Sequence, residues 1–539
     1  MTDTTQTTAA ASTAADNTTP ETATPANATA VGNTATGETA AGETVKAADA
    51  TAVGDAATGE AGAGGEGGAA PKTASHDTEP NPKLRAFMNS GWADSERQDV
   101  TLSDVGVWAA KRRDALSQAF PGERLVIPAG TYKVRSNDTD FVFRPHTDYV
   151  WLAGDQTSDA VLVLEPNGTS GHDAVLYFRP RADRGEGEEF WRDRMYGELW
   201  AGRRPSLTET AKEFGLETRH VDRLADALKG DVPTRVRRGE DASIATLLSG
   251  AKTDADRDRE LAATLSELRL VKDPFEIEQL RNAVAITHRG FSDVLAEMDK
   301  VREYGERWIE GTFWRRARAE GNDVGYTSIA AAGPHATTLH WIENDGPVVD
   351  GTLMLLDMGV ENRQLYTADI TRTLPVSGEF TPRQRELYQL VLDAQNAGIA
   401  ALRPGAQFRA GHEAAMEVIV HGLDAMELLP VSAEEALDPE SMLYQRYTLH
   451  GVSHMLGLDV HDCSAAREEK YRKGTMQTGY VLTVEPGLYF QSDDLTVPED
   501  LRGIGIRIED DILITEDGTE NLSAAMPRDI EGLQNWMSS

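Results

Sequence analysis

The chain has 539 residues, 40% of them hydrophobic, a length that predicts at least two folded units with real cores. It carries 53 Lys and Arg against 88 Asp and Glu, a formal charge of −35, which argues against nucleic acid or an anionic membrane as partner because both reward net positive charge. Cys463 is the only cysteine, so an intrachain disulfide is excluded and a reduced, cytoplasmic setting is expected.

Residues 1 to about 80 are mostly Ala, Thr, Gly, Asp and Glu, with Lys46 and Lys72 the only basic side chains and no aromatic. Such a segment buries too little apolar surface to offset its ordering entropy, and a disordered acidic tail is expected. It shows neither the basic region nor the apolar run of a secretory signal, and no stretch of about 18 apolar residues occurs anywhere, so no membrane span is expected.

Residues 81–267 read as a smaller α/β domain. YVWLAGDQ, AVLVLEP and AVLYFRP are short apolar runs bounded by Gly, Asp and Pro, as strands would be. ETAKEFGL and HVDRLADALKG read as helical. An α+β domain is expected over 268–539. Asp273-Pro274 opens its first helix, and Ile277, Leu280, Ala283 and Val284 follow at helical spacing. Strand-like TLMLLDMGV, GYVLTVEPGLYF and GIGIRIEDDILIT then alternate with helical RQRELYQLVLDAQNAGIAAL and FRAGHEAAMEVIVHGL.

Four carboxylates interrupt these apolar runs: Asp357, Asp369, Glu485 and Glu509. Each alone reads as a strand-end residue facing water, but four in one domain call for compensation, and Arg372 and Arg507 are the only basic residues close to them in sequence. Two divalent cations would balance four carboxylates, and hard oxygen ligands with one imidazole suit Mn²⁺, Co²⁺ or Zn²⁺. The imidazole has an evident source in HGVSHMLGLDVHD, His450 to Asp462.

With DMGVENRQLYTADITRT, HGVSHMLGLDVHD, VLTVEPGLYF and RGIGIRIEDD in this order, the chain resembles the pita-bread metallopeptidases, and among them the Xaa-Pro aminopeptidases (aminopeptidase P). The resemblance implies a C-terminal pita-bread catalytic domain behind a creatinase-type N-terminal domain, and removal of the N-terminal residue from peptides with proline second. It implies a dinuclear site, most often of Mn²⁺, whose bridging hydroxide is the nucleophile. Its ligands would be Asp357, Asp369, His454, Glu485 and Glu509, with Asp369 and Glu509 bridging and Glu485 also moving a proton. His340, His450 and His461 resemble histidines that face the substrate, Arg507 a partner of a ligand carboxylate, and Tyr489 a pocket residue. In the N-terminal domain, Asp148 and Trp200 of GELWAGRRP resemble substrate-pocket residues, the tryptophan often reaching a neighbouring subunit; core packing is the alternative for Trp200. A homo-oligomer, dimer or tetramer, is therefore expected.

One departure stands out: Asp357 and Asp369 lie twelve residues apart, one more than is usual in the family, which requires a bulge or a longer hairpin turn. Prolidase, the Xaa-Pro dipeptidase, shares fold and ligands, but GELWAGRRP favours aminopeptidase P. A methionine aminopeptidase would lack the long N-terminal domain. Non-catalytic binding modules of this fold have generally lost ligands that are all present here.

Overall fold

The computed structural model describes residues 79–168, 171–239, 241–249 and 253–539, so the expected tail lies almost wholly outside the described residues. The N-terminal domain is built on a five-stranded sheet whose strands run Glu217–His220, His172–Phe178, Val161–Pro166, Arg124–Pro128, Thr234–Val236 across it. The three central strands are antiparallel and each outer strand pairs in parallel. Leu125, Ile127, Leu162, Leu164, Leu176 and Phe178 point to one core, while Val126, Val161, Val163, Val175 and Tyr177 point to another. Burial on both faces explains why these strands read as unbroken apolar runs rather than alternating ones.

YVWLAGDQ departs from its expected strand: Thr147–Ala153 is a helix. The His146 ring accepts the Asp148 amide at its start, and Gly154, at φ 74°, closes it with the left-handed cap that only glycine adopts freely. All seven helical residues are buried, so neither face is polar and a short apolar run reads equally well as strand or helix. The helix expected at HVDRLADALKG is reduced to a 3₁₀ turn, Val221–Arg223, and a single α turn, Leu224–Ala227.

The helix Ala255–Arg269 carries through the boundary placed at 267, and one apolar cluster joins Leu162, Leu176 and Leu265 of the N-terminal domain to Tyr366, Leu456 and Leu513 beyond it. In the C-terminal domain, Pro274–Ala296 starts on a capping box of Asp273 and Glu276, and Pro382–Ala401 on one of Thr381 and Gln384. These helices and Ala410–Ala425 surround small antiparallel sheets: Ile329–Ala332 with Leu353–Asp357 and Thr371–Pro375; Val481–Val484 with Asp510–Thr515 and Gly518–Asn521; and Gly487–Phe490 with Ile504–Arg507. Thr373 ties the first group to the third, donating to the Arg507 carbonyl at 2.9 Å and accepting its amide at 3.1 Å. Strand ends from three sheets therefore converge on one place.

Candidate metal centre

Asp357 ends its strand, and the other three carboxylates stand at breaks between strands: Asp369 before Thr371–Pro375, Glu485 between Val481–Val484 and Gly487–Phe490, Glu509 between Ile504–Arg507 and Asp510–Thr515. The extra residue between Asp357 and Asp369 is taken up by a longer excursion, not a register shift. Leu353–Asp357 pairs with Thr371–Pro375 without slippage, and the loop between them pairs Val360–Glu361 with Asp323–Val324 and turns at Leu365, φ 67°.

The side chains come together in a buried cleft. One ligand atom from each of Asp369, His454 and Glu509 lies within 4.8 Å of the other two. His454 Nε2 is 3.3 Å from Asp369 Oδ2 and 3.6 Å from Glu485 Oε1. The Tyr326 hydroxyl lies 2.6 Å from Asp357 Oδ1 and 2.5 Å from Asp369 Oδ1. Glu509 accepts the Thr371 hydroxyl at 2.7 Å. HGVSH is irregular backbone rather than helix, so His450 and His454 do not form a helical ligand pair.

Arg507 forks across this cluster, donating to Asp357 Oδ2 at 2.6 Å, Tyr489 Oη at 2.9 Å and Thr371 Oγ1 at 3.1 Å. Tyr489 in turn lies 2.8 Å from His450 Nε2, and His450 Nδ1 is 3.5 Å from Glu485 Oε2. The rings of His454 and His461 meet edge to face at 4.4 Å. His340 is exposed and close enough to His450 and His461 to disfavour their protonation.

The electrostatics are those of a site short of positive charge. Burial raises the Glu509 pKa far above the usual carboxylate range, and Asp369, Glu485 and Asp357 push it further. Burial also lifts Glu485 to about 7 and raises Asp357. Burial alone would depress His454, but its hydrogen bond to Asp369 and the charges of Glu485 and Asp369 hold it at about 9. His450 goes the other way, to about 4, through burial and the neighbouring Arg507. The donor set fits divalent cations on its own chemistry. One Tyr326 hydroxyl has a single proton for two carboxylates, and among the described residues Arg507 is the one arginine paired with a carboxylate of the four.

The two N-terminal candidates sit elsewhere. Asp148 is buried between Arg237, 2.6 Å away, and Arg269, which take up its carboxylate. Trp200 is 54% exposed, which rules out core packing; its indole donates to the Trp191 carbonyl at 2.7 Å. Three residues of the cluster escaped sequence reasoning. Tyr326 lies in a stretch with no distinguishing pattern, and Thr371, though inside DMGVENRQLYTADITRT, is one threonine among three there with nothing local to single it out. Asp511, whose Oδ2 accepts the Asp369 amide at 3.3 Å, was visible only as one more acid in IEDDILIT.

Residues 278–516 match metallopeptidase family M24, and residues 109–236 match the aminopeptidase P N-terminal domain. The chain is 55% identical to Xaa-Pro aminopeptidase 1 of Streptomyces coelicolor over 458 residues, 85% of this chain and 92% of that one. It is 53% identical to Xaa-Pro aminopeptidase 2 of the same organism, covering 85% of this chain and 96% of the relative. Its fold resembles that of zinc-substituted Escherichia coli aminopeptidase P in complex with product, with a TM-score of 0.70, 30% identity, and coverage of 81% and 99%. Both domains in order and this level of identity over nearly the whole length of the relatives place the chain in metallopeptidase family M24, as a member of its aminopeptidase P group.

Proposed function

We propose that this protein hydrolyses the bond between an N-terminal residue and a following proline in peptides, using two divalent cations, Mn²⁺ by preference, held by Asp357, Asp369, His454, Glu485 and Glu509. The observation that carries the reading is the convergence of Asp369, His454 and Glu509 within 4.8 Å, with Glu485 and Asp357 adjoining. It is supported by relatives named Xaa-Pro aminopeptidases. When bound, the cations would supply Lewis acidity, generating hydroxide near neutral pH and polarising the scissile carbonyl.

The chain's own residues do the rest. Asp369 and Glu509 would be shared between the two cations, and Arg507, by clamping Asp357, fixes one end of the candidate ligand set. Glu485 carries a proton to the proline nitrogen as it leaves. His340, His450 and His461 border the cleft, where their N–H groups hold the substrate carbonyl and the oxygen that gains charge during attack. Trp200 extends the pocket of a neighbouring copy in a dimer or tetramer.

The test incubates metal-depleted protein with an Xaa-Pro dipeptide and an Xaa-Pro-Xaa peptide, with and without Mn²⁺. Mn²⁺-dependent release of the first residue from the longer peptide is expected. Cleavage of the dipeptide alone would instead assign a prolidase, and silence toward both would leave a binding role.

A further inference from the structure

Glu306 opens the helix Glu306–Glu320, and its side chain is fully buried. A buried carboxylate is tolerated only where donors satisfy it, and here four do so. Oε1 takes the Ala332 amide at 2.8 Å and faces His335 Nδ1 at 2.9 Å. Oε2 accepts the Trp341 indole at 2.9 Å and the Gly346 amide at 2.7 Å. The Glu306 amide returns a bond to the Gly346 carbonyl at 3.0 Å. All these donors belong to the segment 332–346, whose outermost part carries His340.

The segment is fastened by fit as well as by charge. His335 and Trp341 stack at 3.8 Å, and a Cβ on Gly346 would lie 2.4 Å from the His335 ring, so only glycine fits beside the carboxylate. Trp341 and Leu339, the neighbours of His340 on either side, pack against an apolar cluster that includes Ile329, Leu355 and Tyr489. Tyr489 is the residue that holds His450 and Arg507.

We infer that Glu306 is a positioning residue for His340: it gathers the start, the crest and the end of the segment onto one buried carboxylate and so sets where the imidazole stands over the cleft. This rests on the proposed peptidase reading, which gives His340 its substrate. Glu306 touches neither substrate nor metal and acts only through the segment.

The test is a double-mutant cycle on Xaa-Pro-Xaa hydrolysis. In Glu306→Gln the amide nitrogen is turned on at least one N–H donor whichever way it points, so kcat/KM should fall on the order of 10- to 100-fold. In a His340→Ala background the same substitution should cost nothing further. Hydrogen exchange should quicken across 332–346 and stay unchanged over the metal-binding strands. Trp341→Phe keeps the stacked ring and removes one donor; it serves if Glu306→Gln does not fold, with a smaller loss expected, again absent beside His340→Ala. Losses that multiply in the double variant, a silent His340→Ala, or unchanged exchange across 332–346 would overturn the inference. An inactive wild type would instead count against the peptidase reading, and the exchange measurement, which needs no substrate, would still decide the inference.

Discussion

Asp462 belongs to a chain of alternating buried charges that joins the two domains. Lys272, with no exposed side-chain surface, donates to Asp462 Oδ2 at 2.8 Å and to the Arg269 carbonyl at 2.6 Å. Asp462 Oδ1 meets Arg269 Nε at 3.2 Å; Arg269 pairs with Asp148, and Asp148 with Arg237. Burial would raise the Asp462 pKa, but Lys272 and Arg269 override it and hold the group down at about 2, against an ordinary 3.8. That depression of nearly two units corresponds to about 2 kcal/mol in favour of the folded state. The sign follows from linkage: the contribution is complete above roughly pH 4 and is lost as pH falls toward the folded pKa near 2. Asp462→Asn removes the charge while leaving Lys272 buried, and should cost about 3–5 kcal/mol at pH 7. Lys272→Met should cost less, because Asp462 keeps Arg269 and the Cys463 amide. The doubly substituted protein should be more stable than the sum of the two losses, by about 2 kcal/mol. Urea unfolding followed by circular dichroism at pH 7, 5 and 3 measures all of this. A cost below about 1 kcal/mol for Asp462→Asn at pH 7, or a gap from wild type that does not narrow toward pH 3, would refute the reasoning.

Removing the Tyr326 hydroxyl in Tyr326→Phe should weaken Mn²⁺ binding about 10- to 100-fold by calorimetry without changing the circular dichroism spectrum, because Asp357 and Asp369 lose their common partner. Arg507→Lys replaces a three-way fork by one ammonium and should lower kcat/KM on the order of 10- to 100-fold in steady-state assays, with Arg507→Met worse. Gly505→Ala would put a Cβ 2.0 Å from the Ala336 carbonyl oxygen; we expect a loss of about 1–3 kcal/mol in urea unfolding and faster hydrogen exchange at the segment bearing His340. Asp369→Ala should leave the fold intact and abolish Mn²⁺-dependent cleavage, and retention of full activity would sink the ligand assignment.

The carboxylate cluster was legible because charge inside an apolar run is locally visible. Asp357, Glu485 and Glu509 each break a run of Val, Ile and Leu, and nothing about their neighbours is needed to notice them. Tyr326 was not legible for the opposite reason: a tyrosine is ordinary in any setting, and its role depends on two carboxylates 31 and 43 residues away that the fold alone brings to its hydroxyl. Asp148 shows the limit of resemblance. Its local wording placed it in a pocket, but which arginines reach it depends on the helix Ala255–Arg269 and on Arg237, and those partners bury it in the joint between domains. Helix against strand failed at YVWL because tertiary burial on every side erased the periodicity that separates the two.

The main chain explains how so many like charges are held close together. His454 gives its amide to the Thr483 hydroxyl, and Thr483 lies two residues before Glu485. Glu485 gives its amide to the Val452 carbonyl, two residues before His454. Glu509 donates to the carbonyl of Thr371, two residues past Asp369, and Asp369 donates to the carboxylate of Asp511, two residues past Glu509. Each of these four residues is thus moored to the flank of another, in two reciprocal pairs, so moving one backbone means breaking the bond that fixes its partner. Repulsion among the carboxylates then cannot relax by splaying the strands, and it is met by protons, Arg507 or bound cations instead. The flanking residues Thr371, Val452, Thr483 and Asp511 are thus part of the frame that keeps an electrostatically unfavourable cluster in place.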